Sequence, residues 1–557
     1  MVDDPVAFPT LDDSDIAAIE PLGARRSISI GEYLYREGDA HYDFFVVVSG
    51  MVEVAVHADG EERVVARFGP RNFMGELSLL SGQRVYVSAS VTEPGEVIVV
   101  PADALRQVFV ARPNLADTIL AAFLARRARL VTDAAMAIRL IGSRFSPDSL
   151  RLREFLVRNR IPHEFIDADA DSRVEQLLRN FAVEAADLPV VIAPGSVLRH
   201  PTPGELAAYL GLTLDAISQR SFDLVVIGGG PAGLAAGVYG ASEGLDTLVV
   251  EMVAAGGQAG SSSRIENYLG FPNGISGADL TLKAVVQAEK FGARLTSPCA
   301  ATGLREAAGH LVVSLSDGTE VAGRAVIVAS GARYRRLEAE RLEQFEGNGV
   351  YYAATEIEAR LCAGSRVVVV GGGNSAGQAA LFLAGVGSEV SLIIRGNDLG
   401  KNMSRYLVDR IEADGRITVR NNTEIAGLEG DPELHSVRLR GTDGDSLLPC
   451  RALFSFIGAE PASAWLSGCA ALDTRGFVLT DRSLGVDHLD AQWEALGRLP
   501  LPFETSRPGL FAVGDVRAGS TKRVAAAVGE GSAAVRSVHE LLAFAHSSTP
   551  ISNPAKG

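Results

Sequence analysis

The sequence predicts a multidomain α/β fold, and three observations support that prediction. The chain has 557 residues, which is more than one hydrophobic core usually supports. Two glycine-rich turns, at 228–233 and 371–376, each follow a run of apolar residues and open a stretch with helical spacing. The N-terminal part instead shows short apolar strands separated by glycines, at 32–35, 44–48, 52–56 and 97–100. We therefore expect an N-terminal β-roll with helices, a smaller α/β domain after it, and two three-layer domains.

Changes of pattern along the chain predict where these domains begin and end. A helical stretch with three arginines, Arg126, Arg127 and Arg129, closes the β-rich part, and alternating strands and helices follow it. The last residues are polar and have no periodicity, which is typical of disorder. The predicted segments are a β-roll over 1–137, an α/β domain over 138–215, a first three-layer domain over 220–346 and 462–545, a second over 347–461, and a disordered tail over 546–557.

Composition and charge exclude several kinds of partner. The 52 basic residues are outnumbered by 68 acidic ones, and the net charge is −16. We expect no nucleic-acid partner, because phosphate binding needs a basic surface. The acidic start lacks the apolar core of a signal peptide, and no apolar run reaches about 18 residues, so we expect a cytoplasmic protein without membrane contact. Neither a disulfide framework nor a metal site is expected from the four cysteines, Cys299, Cys362, Cys450 and Cys469.

The first glycine turn has the pattern of a Rossmann-like unit. An apolar strand at 222–227 runs into G-x-G-x-x-G, formed by Gly228, Gly230 and Gly233. Glycine lets the backbone turn tightly and approach a pyrophosphate, whose charge then lies at a helix N-terminus. The next strand ends in Glu251, whose carboxylate can accept both hydroxyls of an adenine ribose. This half of the chain is therefore predicted to bind an adenine dinucleotide.

The second turn predicts a nicotinamide dinucleotide site. It reads G-x-G-x-x-A, and the strand that follows it ends in Arg395 rather than in an acid. An arginine there attracts a 2′-phosphate, so we expect NADPH, with NADH as the less favoured alternative. Two such units in series are typical of a flavoprotein that passes hydride from nicotinamide to flavin. The residues predicted to hold this coenzyme are Gly371, Gly373, Asn374, Ala376, Arg395, Lys401 and Arg405.

Several further motifs resemble the low-molecular-weight thioredoxin reductases in order and spacing. They lie at 256–258, 265–268, 270–272, 291–293, 328–332 and 509–515, and the resemblance covers nearly all of 221–543. It implies an FAD domain and a homodimer. It also implies that Asp515 bonds the flavin ribityl chain and that Lys522, Arg523 and Val524 stand where the family has R-Q-A. The FAD-binding residues predicted from these motifs and the first turn are Gly228, Gly230, Gly233, Glu251, Gln258, Asn267, Gly514, Asp515, Arg523 and Val524.

The redox cysteine pair of thioredoxin reductases is missing. In that family a C-x-x-C just before the second glycine turn takes electrons from the flavin, and here Ala353 and Glu356 occupy the two positions. Neither side chain can carry a dithiol–disulfide couple. We therefore expect no catalytic side chain beyond the flavin itself, and an unidentified electron acceptor such as a small redox protein.

The middle segment resembles a glutaredoxin or thioredoxin-like fold without thiols. Ser146 and Ser149 occupy the cysteine positions of that fold, and Leu188-Pro189 stands where it keeps a cis proline. A hydroxyl cannot replace a thiolate in disulfide exchange. We interpret the segment as a redox-silent adapter, with a catalytic module as the alternative.

Residues 72–84 resemble the phosphate-binding cassette of cyclic-nucleotide-binding domains. Glu76 can accept the ribose 2′-hydroxyl, Arg84 can pair with the cyclic phosphate, and the Gly75 region can supply backbone amides. Val85 and Tyr86 follow where the family usually has small residues. A bound cyclic nucleotide, cAMP or cGMP, and a β-roll kept only for docking or dimerisation are both open at this point.

The leading hypothesis is an FAD-dependent oxidoreductase that passes hydride from NADPH to FAD and on to an unidentified acceptor, under regulation by a cyclic nucleotide. Two alternatives remain. One is a ferredoxin–NADP reductase, because relatives with that activity share the fold and lack the cysteine pair. The other is a sensor with negligible turnover, in which the flavin only reports.

Overall fold

The computed structural model of the chain describes residues 4–547, apart from 40, 59, 60, 77, 82, 133–137, 194, 195, 215–219, 263, 264, 266, 347, 348, 353, 355, 432 and 443. Among the helices described, none combines the length and the apolar character needed to cross a membrane. The predicted tail lies mostly outside the described residues, although the last helix continues two residues into it, to Ser547.

The N-terminal part is an antiparallel β-roll closed by two helices. Six strands form one sheet, in which the long third strand pairs with the fourth, fifth and sixth. The two strands expected at 44–48 and 52–56 are in fact one strand that bulges near Gly50, whose φ of +87° suits glycine. The elements are α1 (Asp13–Ile19), β1 (Ala24–Ile28), β2 (Tyr33–Tyr35), β3 (Phe44–Ala58), β4 (Glu61–Phe68), β5 (Phe73–Met74), α2 (Ser78–Ser81), β6 (Ser88–Val100), α3 (Ala102–Ala111) and α4 (Pro113–Thr132).

A four-stranded mixed sheet with three helices follows. Its strand order is β10-β9-β7-β8, with β7 and β8 parallel and the other pairs antiparallel. The Leu188–Pro189 peptide bond is cis. The alternation of strands and helices agrees with the sequence, and the likeness to a thioredoxin fold stays a prediction. The elements are β7 (Ile138–Gly142), α5 (Pro147–Arg158), β8 (His163–Asp167), α6 (Val174–Asn180), β9 (Val190–Ala193), β10 (Ser196–Arg199) and α7 (Pro203–Leu210).

The next part opens a largely parallel sheet. From Leu224 to Ile227 its central strand is apolar and buried, as parallel strands covered by helices usually are. The elements are β11 (Ser221–Ile227), α8 (Pro231–Ser242), β12 (Thr247–Val250), α9 (Gly257–Gly260), α10 (Gly277–Lys290), β13 (Arg294–Thr296), β14 (Ala301–Ala307), β15 (His310–Leu315), β16 (Glu320–Val328) and β17 (Ala332–Tyr334).

A second parallel sheet lies in the part of the chain that carries the second glycine turn. Five strands pair in the order β18-β25-β19-β20-β21, and β22, β23 and β24 form a separate antiparallel sheet. The elements are α11 (Leu342–Phe345), β18 (Val350–Tyr351), α12 (Glu356–Leu361), β19 (Arg366–Val370), α13 (Asn374–Gly385), β20 (Glu389–Ile393), α14 (Arg405–Ala413), β21 (Ile417–Arg420), β22 (Thr423–Gly430), β23 (Leu434–Gly441), β24 (Gly444–Pro449), β25 (Ala452–Ser455) and β26 (Ala459–Pro461).

The chain then returns to the first parallel sheet. The last elements are α15 (Ala491–Leu496), β27 (Leu510–Ala512) and α16 (Val524–Ser547). The completed sheet has the order β13-β12-β11-β16-β15-β14, with β27 added against β16. The outgoing β17 and the returning β26 pair with each other where the chain passes between the two halves. The domain boundaries expected from the sequence stay predictions.

Candidate functional site

The first glycine turn lies at the carboxyl end of β11, between β12 and β16. Gly228 has φ +109°, and a Cβ on it would lie 2.3 Å from the carbonyl oxygen of Ala329. A Cβ on Gly233 would lie 1.8 Å from the carbonyl oxygen of Gly228. The turn is therefore closed to side chains on its sheet side, and α8 begins directly after Gly230 with its first N–H groups unpaired within the helix. This is the geometry that a pyrophosphate needs.

Glu251 is held against that turn by its own carboxylate. The residue follows β12 and is 9% exposed. Its Oε2 accepts a hydrogen bond from the backbone N–H of Gly229 at 2.6 Å, and its Oε1 accepts one from Val253 at 3.0 Å. Each oxygen keeps a second lone pair, so the carboxylate can still accept ribose hydroxyls. The structure thus brings Glu251 and the glycine turn together, as the sequence predicts.

The Gly514-Asp515 turn is fixed by a partly buried ion pair, made with Glu530 of α16, that sequence reasoning missed. Glu530 Oε2 accepts from the N–H of Gly514 at 2.7 Å, and both its oxygens accept from Arg517, at 3.0 and 2.7 Å. Burial raises the pKa of Asp515, and Lys522 opposes that effect. The one available signal was that Glu530 is the single charged residue in the first half of the α16 sequence, from Val524 to Val535.

Helix α16 reaches the first turn by packing against α8. A Cβ on Gly531 would lie 2.1 Å from the carbonyl oxygen of Ala232, whereas one on Gly529 would meet nothing within 4 Å. The small residues of both helices permit this close approach. As a result, two of the motifs predicted to bind FAD, at 228–233 and 514–515, lie in one packed unit although they are far apart in sequence.

The remaining predicted FAD residues occupy different environments. Gln258 Nε2 donates to the carbonyl oxygen of Ala332 at 2.5 Å, which ties α9 to the crossing strand β17. Asn267 is exposed beside the stacked rings of Tyr268 and Phe271. Arg523 is also exposed, and Val524 begins α16.

The second glycine turn repeats the geometry of the first. Gly371 has φ +141°, and a Cβ on it would lie 2.4 Å from the carbonyl oxygen of Phe456, while Ala376 is fully buried. A Cβ on Gly373 would meet nothing within 4 Å, so this part of the turn faces open space. Asn374, the first residue of α13, accepts a hydrogen bond on Oδ1 from the N–H of Ser404 at 2.7 Å.

The cations expected to select NADPH are all exposed. Arg395 directly follows the buried Ile394, whose Cγ2 lies 3.7 Å from the position that a Cβ on Gly372 would take. That contact places Arg395 beside the glycine turn. Lys401 is exposed further along, and Arg405 pairs with Asp409 across one turn of α14, at 2.7 Å.

The thiols of Cys362 and Cys450, which lie on either side of the second glycine turn in sequence, cannot replace the missing redox cysteine pair. Ala353 lies outside the described residues, and Glu356 begins α12 although its side chain is not described. Burial raises the pKa of Cys362 to about 11 and that of Cys450 to about 12. A thiol must ionise before it can exchange with a disulfide, so both are inert at neutral pH.

The cassette of the β-roll is packed against other parts of the chain. Glu76 is 5% exposed, and its Oε2 lies 3.4 Å from Nε of Arg127, which is also buried. Arg126 donates to the carbonyl oxygens of Ala7, Phe73 and Gly75, and burial lowers its pKa to about 10. Arg126 and Arg127 on α4 are therefore a buried scaffold for the cassette, a role that their spacing alone did not reveal.

Arg84 and its neighbours face the middle domain. The Arg84 guanidinium donates to the carbonyl oxygens of Tyr209 and Gly38, at 2.5 and 2.7 Å. Val85 is buried in the β-roll core and Tyr86 in the core of the middle domain. Arg84, which the sequence predicts to pair with a cyclic phosphate, is therefore hydrogen-bonded to carbonyl oxygens of the protein itself.

This geometry defines a flavoprotein oxidoreductase with two dinucleotide-binding domains. Residues 222–531 match the family model for pyridine nucleotide-disulphide oxidoreductases, which covers more than half of the chain. The protein belongs to the pyridine nucleotide-disulphide oxidoreductase family, and within it to the thioredoxin-reductase-like members, whose cofactors are FAD and NADPH. Residues 25–112 match the cyclic nucleotide-binding domain, so that domain is present at the N-terminus.

Individual relatives agree with this assignment. The chain is 35% identical over 319 residues to a thioredoxin reductase of Mycolicibacterium smegmatis, covering 57% of this chain and 95% of that protein. It is 31% identical over 321 residues to a thioredoxin reductase of Listeria innocua, covering 57% and 92%. Among solved structures, thioredoxin reductases of Lactococcus lactis and T. acidophilum match with TM-scores of 0.51 and 0.52, at 27% and 25% identity. They cover 58% and 59% of this chain, and 99% and 100% of their own chains. The fold class and the enzyme class expected from the sequence are thereby confirmed.

Proposed function

We propose that this protein takes hydride from NADPH onto FAD and delivers the electrons to an acceptor that it reaches without a cysteine relay. One observation carries the proposal: both dinucleotide turns have the required geometry, while the C-x-x-C positions hold Ala353 and Glu356. The acceptor must then take electrons directly from the reduced flavin, and a small redox protein fits that requirement.

The side chains have distinct proposed roles. The turn at 228–233 receives the pyrophosphate of FAD, and Glu251 orients its ribose. Asp515, whose turn Glu530 fixes, receives the ribityl hydroxyls. FAD, when bound, supplies the hydride acceptor, and the protein contributes orientation rather than acid or base chemistry. The turn at 371–376 positions the nicotinamide coenzyme in the same way.

Anaerobic addition of NADPH to the purified yellow protein tests this proposal. We expect rapid loss of flavin absorbance, and then reoxidation by the correct acceptor. Thioredoxin, ferredoxin and a quinone are compared at equal concentration, and thioredoxin disulfide is expected to be the poorest of the three. Unchanged absorbance would favour the sensor, and fast thioredoxin reduction would contradict the proposed route. Efficient reduction of ferredoxin would instead favour a ferredoxin–NADP reductase.

The choice of NADPH is tested at Arg395. Replacing this exposed arginine, Arg395→Ala, removes a cation beside the coenzyme turn, so we expect KM for NADPH to rise about tenfold. KM for NADH should stay within about twofold, because NADH has no 2′-phosphate. Steady-state flavin-dependent reduction of ferricyanide with each coenzyme measures both values. Equal rises for the two coenzymes would mean that Arg395 supports the fold rather than selecting the phosphate.

We also propose that a cyclic nucleotide, cAMP or cGMP, regulates the enzyme through the β-roll. The matched domain supports this, as does Glu76, a buried carboxylate that forms an ion pair with Arg127 but accepts no hydrogen bond among the described residues. Such a group suits a ribose hydroxyl. Calorimetric titration with each nucleotide tests binding, and no heat change with either would contradict it. The homodimer implied by the resemblance stays a prediction that sedimentation equilibrium can decide.

A further inference from the structure

Arg84, the cassette arginine, caps the C-terminus of a helix in the middle domain. Helix α7 ends at Leu210, and Gly211 follows it with φ +73°. The carbonyl oxygens of Ala207 and Ala208 accept from Leu212 and Gly211 in the turn that follows. The last two carbonyls are satisfied from the β-roll instead: Tyr209 accepts from Arg84 Nε and Leu210 from the Arg84 backbone N–H, at 2.5 and 3.2 Å.

The C-terminus of α7 offers Arg84 a negative charge and hydrogen-bond acceptors, as a phosphate would. The last carbonyls of a helix carry the negative pole of its dipole, roughly half an elementary charge, and favour a cation. The Arg84 guanidinium carbon also lies 5.4 Å from the centre of the Tyr209 ring. A cyclic phosphate carries a full negative charge and would need the same Nε and Nη donors. The guanidinium has five N–H donors, but Nε carries only one and Tyr209 accepts it here, so a phosphate bound along the Nε–Nη2 edge must displace that carbonyl.

The same helix end is bonded to the FAD half. The carbonyl oxygen of Leu212 accepts from the N–H of Ser297, at 3.3 Å, in the loop that follows β13. At the other end of the interface, Asn159 Nδ2 donates to the carbonyl oxygen of Val253 at 3.2 Å. The Val253 N–H is the one that holds Glu251 Oε1. The middle domain therefore supports the loop that carries the ribose-binding glutamate.

We propose that a nucleotide phosphate and the C-terminus of α7 compete for Arg84, so that a cyclic nucleotide binds only as the middle domain releases the cassette. Release also removes the Asn159 support from the Glu251 loop, so nucleotide binding weakens the retention of FAD. The proposal rests on the proposed binding of a cyclic nucleotide. By linkage, FAD in turn weakens nucleotide binding by the same factor.

Hydrogen exchange followed by mass spectrometry on the full-length holoprotein tests the competition, with saturating cAMP and cGMP in separate arms. We expect exchange at 203–212 to become at least about fivefold faster while residues 72–87 become protected, a size typical of coupling between sites. Flavin fluorescence should report faster release of FAD in the same arm. Protection of 72–87 with unchanged exchange at 203–212 would overturn the competition and leave nucleotide binding intact.

Two variants separate the competition from a failure of nucleotide binding. Tyr209→Ala removes the ring beside Arg84 but keeps the carbonyl that accepts from Nε, so it weakens only the cation–π part of the contact and should tighten nucleotide binding about two- to fivefold. Arg84→Ala should speed exchange at 203–212 without any ligand, whereas Arg67→Ala, which breaks an exposed ion pair with Glu53 on the same β-roll, should not. If neither the wild type nor Tyr209→Ala binds a nucleotide, the proposed regulation fails and the competition with it. Unchanged exchange in Arg84→Ala would refute the capping role alone.

Discussion

Gly531→Ala is expected to yield a protein that loses FAD and is destabilised by about 3 kcal/mol or more. The new Cβ would lie 2.1 Å from the carbonyl oxygen of Ala232, which is backbone that cannot move aside. Such overpacking costs about 1–3 kcal/mol even where side chains can adjust. Relief requires α16 and α8 to separate, and α8 begins at the first glycine turn. The ratio of flavin to protein absorbance and the urea midpoint measure the two effects.

Gly529→Ala is the matched control on the same helix. Its Cβ meets nothing within 4 Å, and alanine stabilises a helix interior relative to glycine by up to about 1 kcal/mol. We expect normal flavin content and a urea midpoint that is equal or slightly higher. A Gly531→Ala protein that remains yellow and as stable as the wild type would show that the two helices are not packed as described.

Glu289→Gln is expected to stabilise the protein at alkaline pH by roughly 5 kcal/mol, which is about 1.4 kcal/mol for each pH unit between 4.3 and 8. Glu289 lies on α10 and is 8% exposed, in a helix whose Val286 packs into the β-roll core. Burial raises its pKa to about 8, although Arg106 and Arg127 oppose the effect. The folded protein therefore keeps a proton that the unfolded chain loses near pH 4.3. Glutamine has the shape of the protonated form and never ionises.

The direction of the pH dependence follows from proton binding. Between about pH 4.3 and 8 the native state holds more protons than the unfolded chain, so this group makes stability fall as pH rises. Above about pH 8 the carboxyl is ionised in both states, and the fall in stability that it causes is complete. The free energy of unfolding of Glu289→Gln should not show this fall. Urea unfolding of both proteins between pH 5 and 9 measures it, with the exposed Glu494→Gln as control. Parallel profiles for wild type and Glu289→Gln would contradict the burial of this carboxyl.

Local chemistry explains which parts of the site could be predicted from the sequence. A glycine with a positive φ and no room for Cβ, such as Gly228 or Gly371, is dictated by the turn that contains it. Glu251 was found because a parallel strand of known length places it at the same sheet edge as the turn. These features need no information from distant parts of the chain.

Contacts between domains could not be predicted in the same way. Arg84 binds Tyr209, 125 residues away, and Asn159 binds Val253, 94 residues away. No periodicity or spacing encodes such pairs, because they depend on how separate domains dock. Glu530 was missed for a related reason: an acid on a helix is usually solvated, and only the packing of α16 reveals that this one holds Gly514.

The ladder between β17 and β26 has a consequence for engineering. Three residue pairs, from Ala332 with Pro461 to Tyr334 with Ala459, bring the outgoing and returning chain side by side. The segment between them can therefore be exchanged as one block for the equivalent segment of a relative, because both splice points lie in the same short two-stranded ladder. Chimeras cut there would transplant coenzyme preference while the flavin scaffold keeps its own sequence.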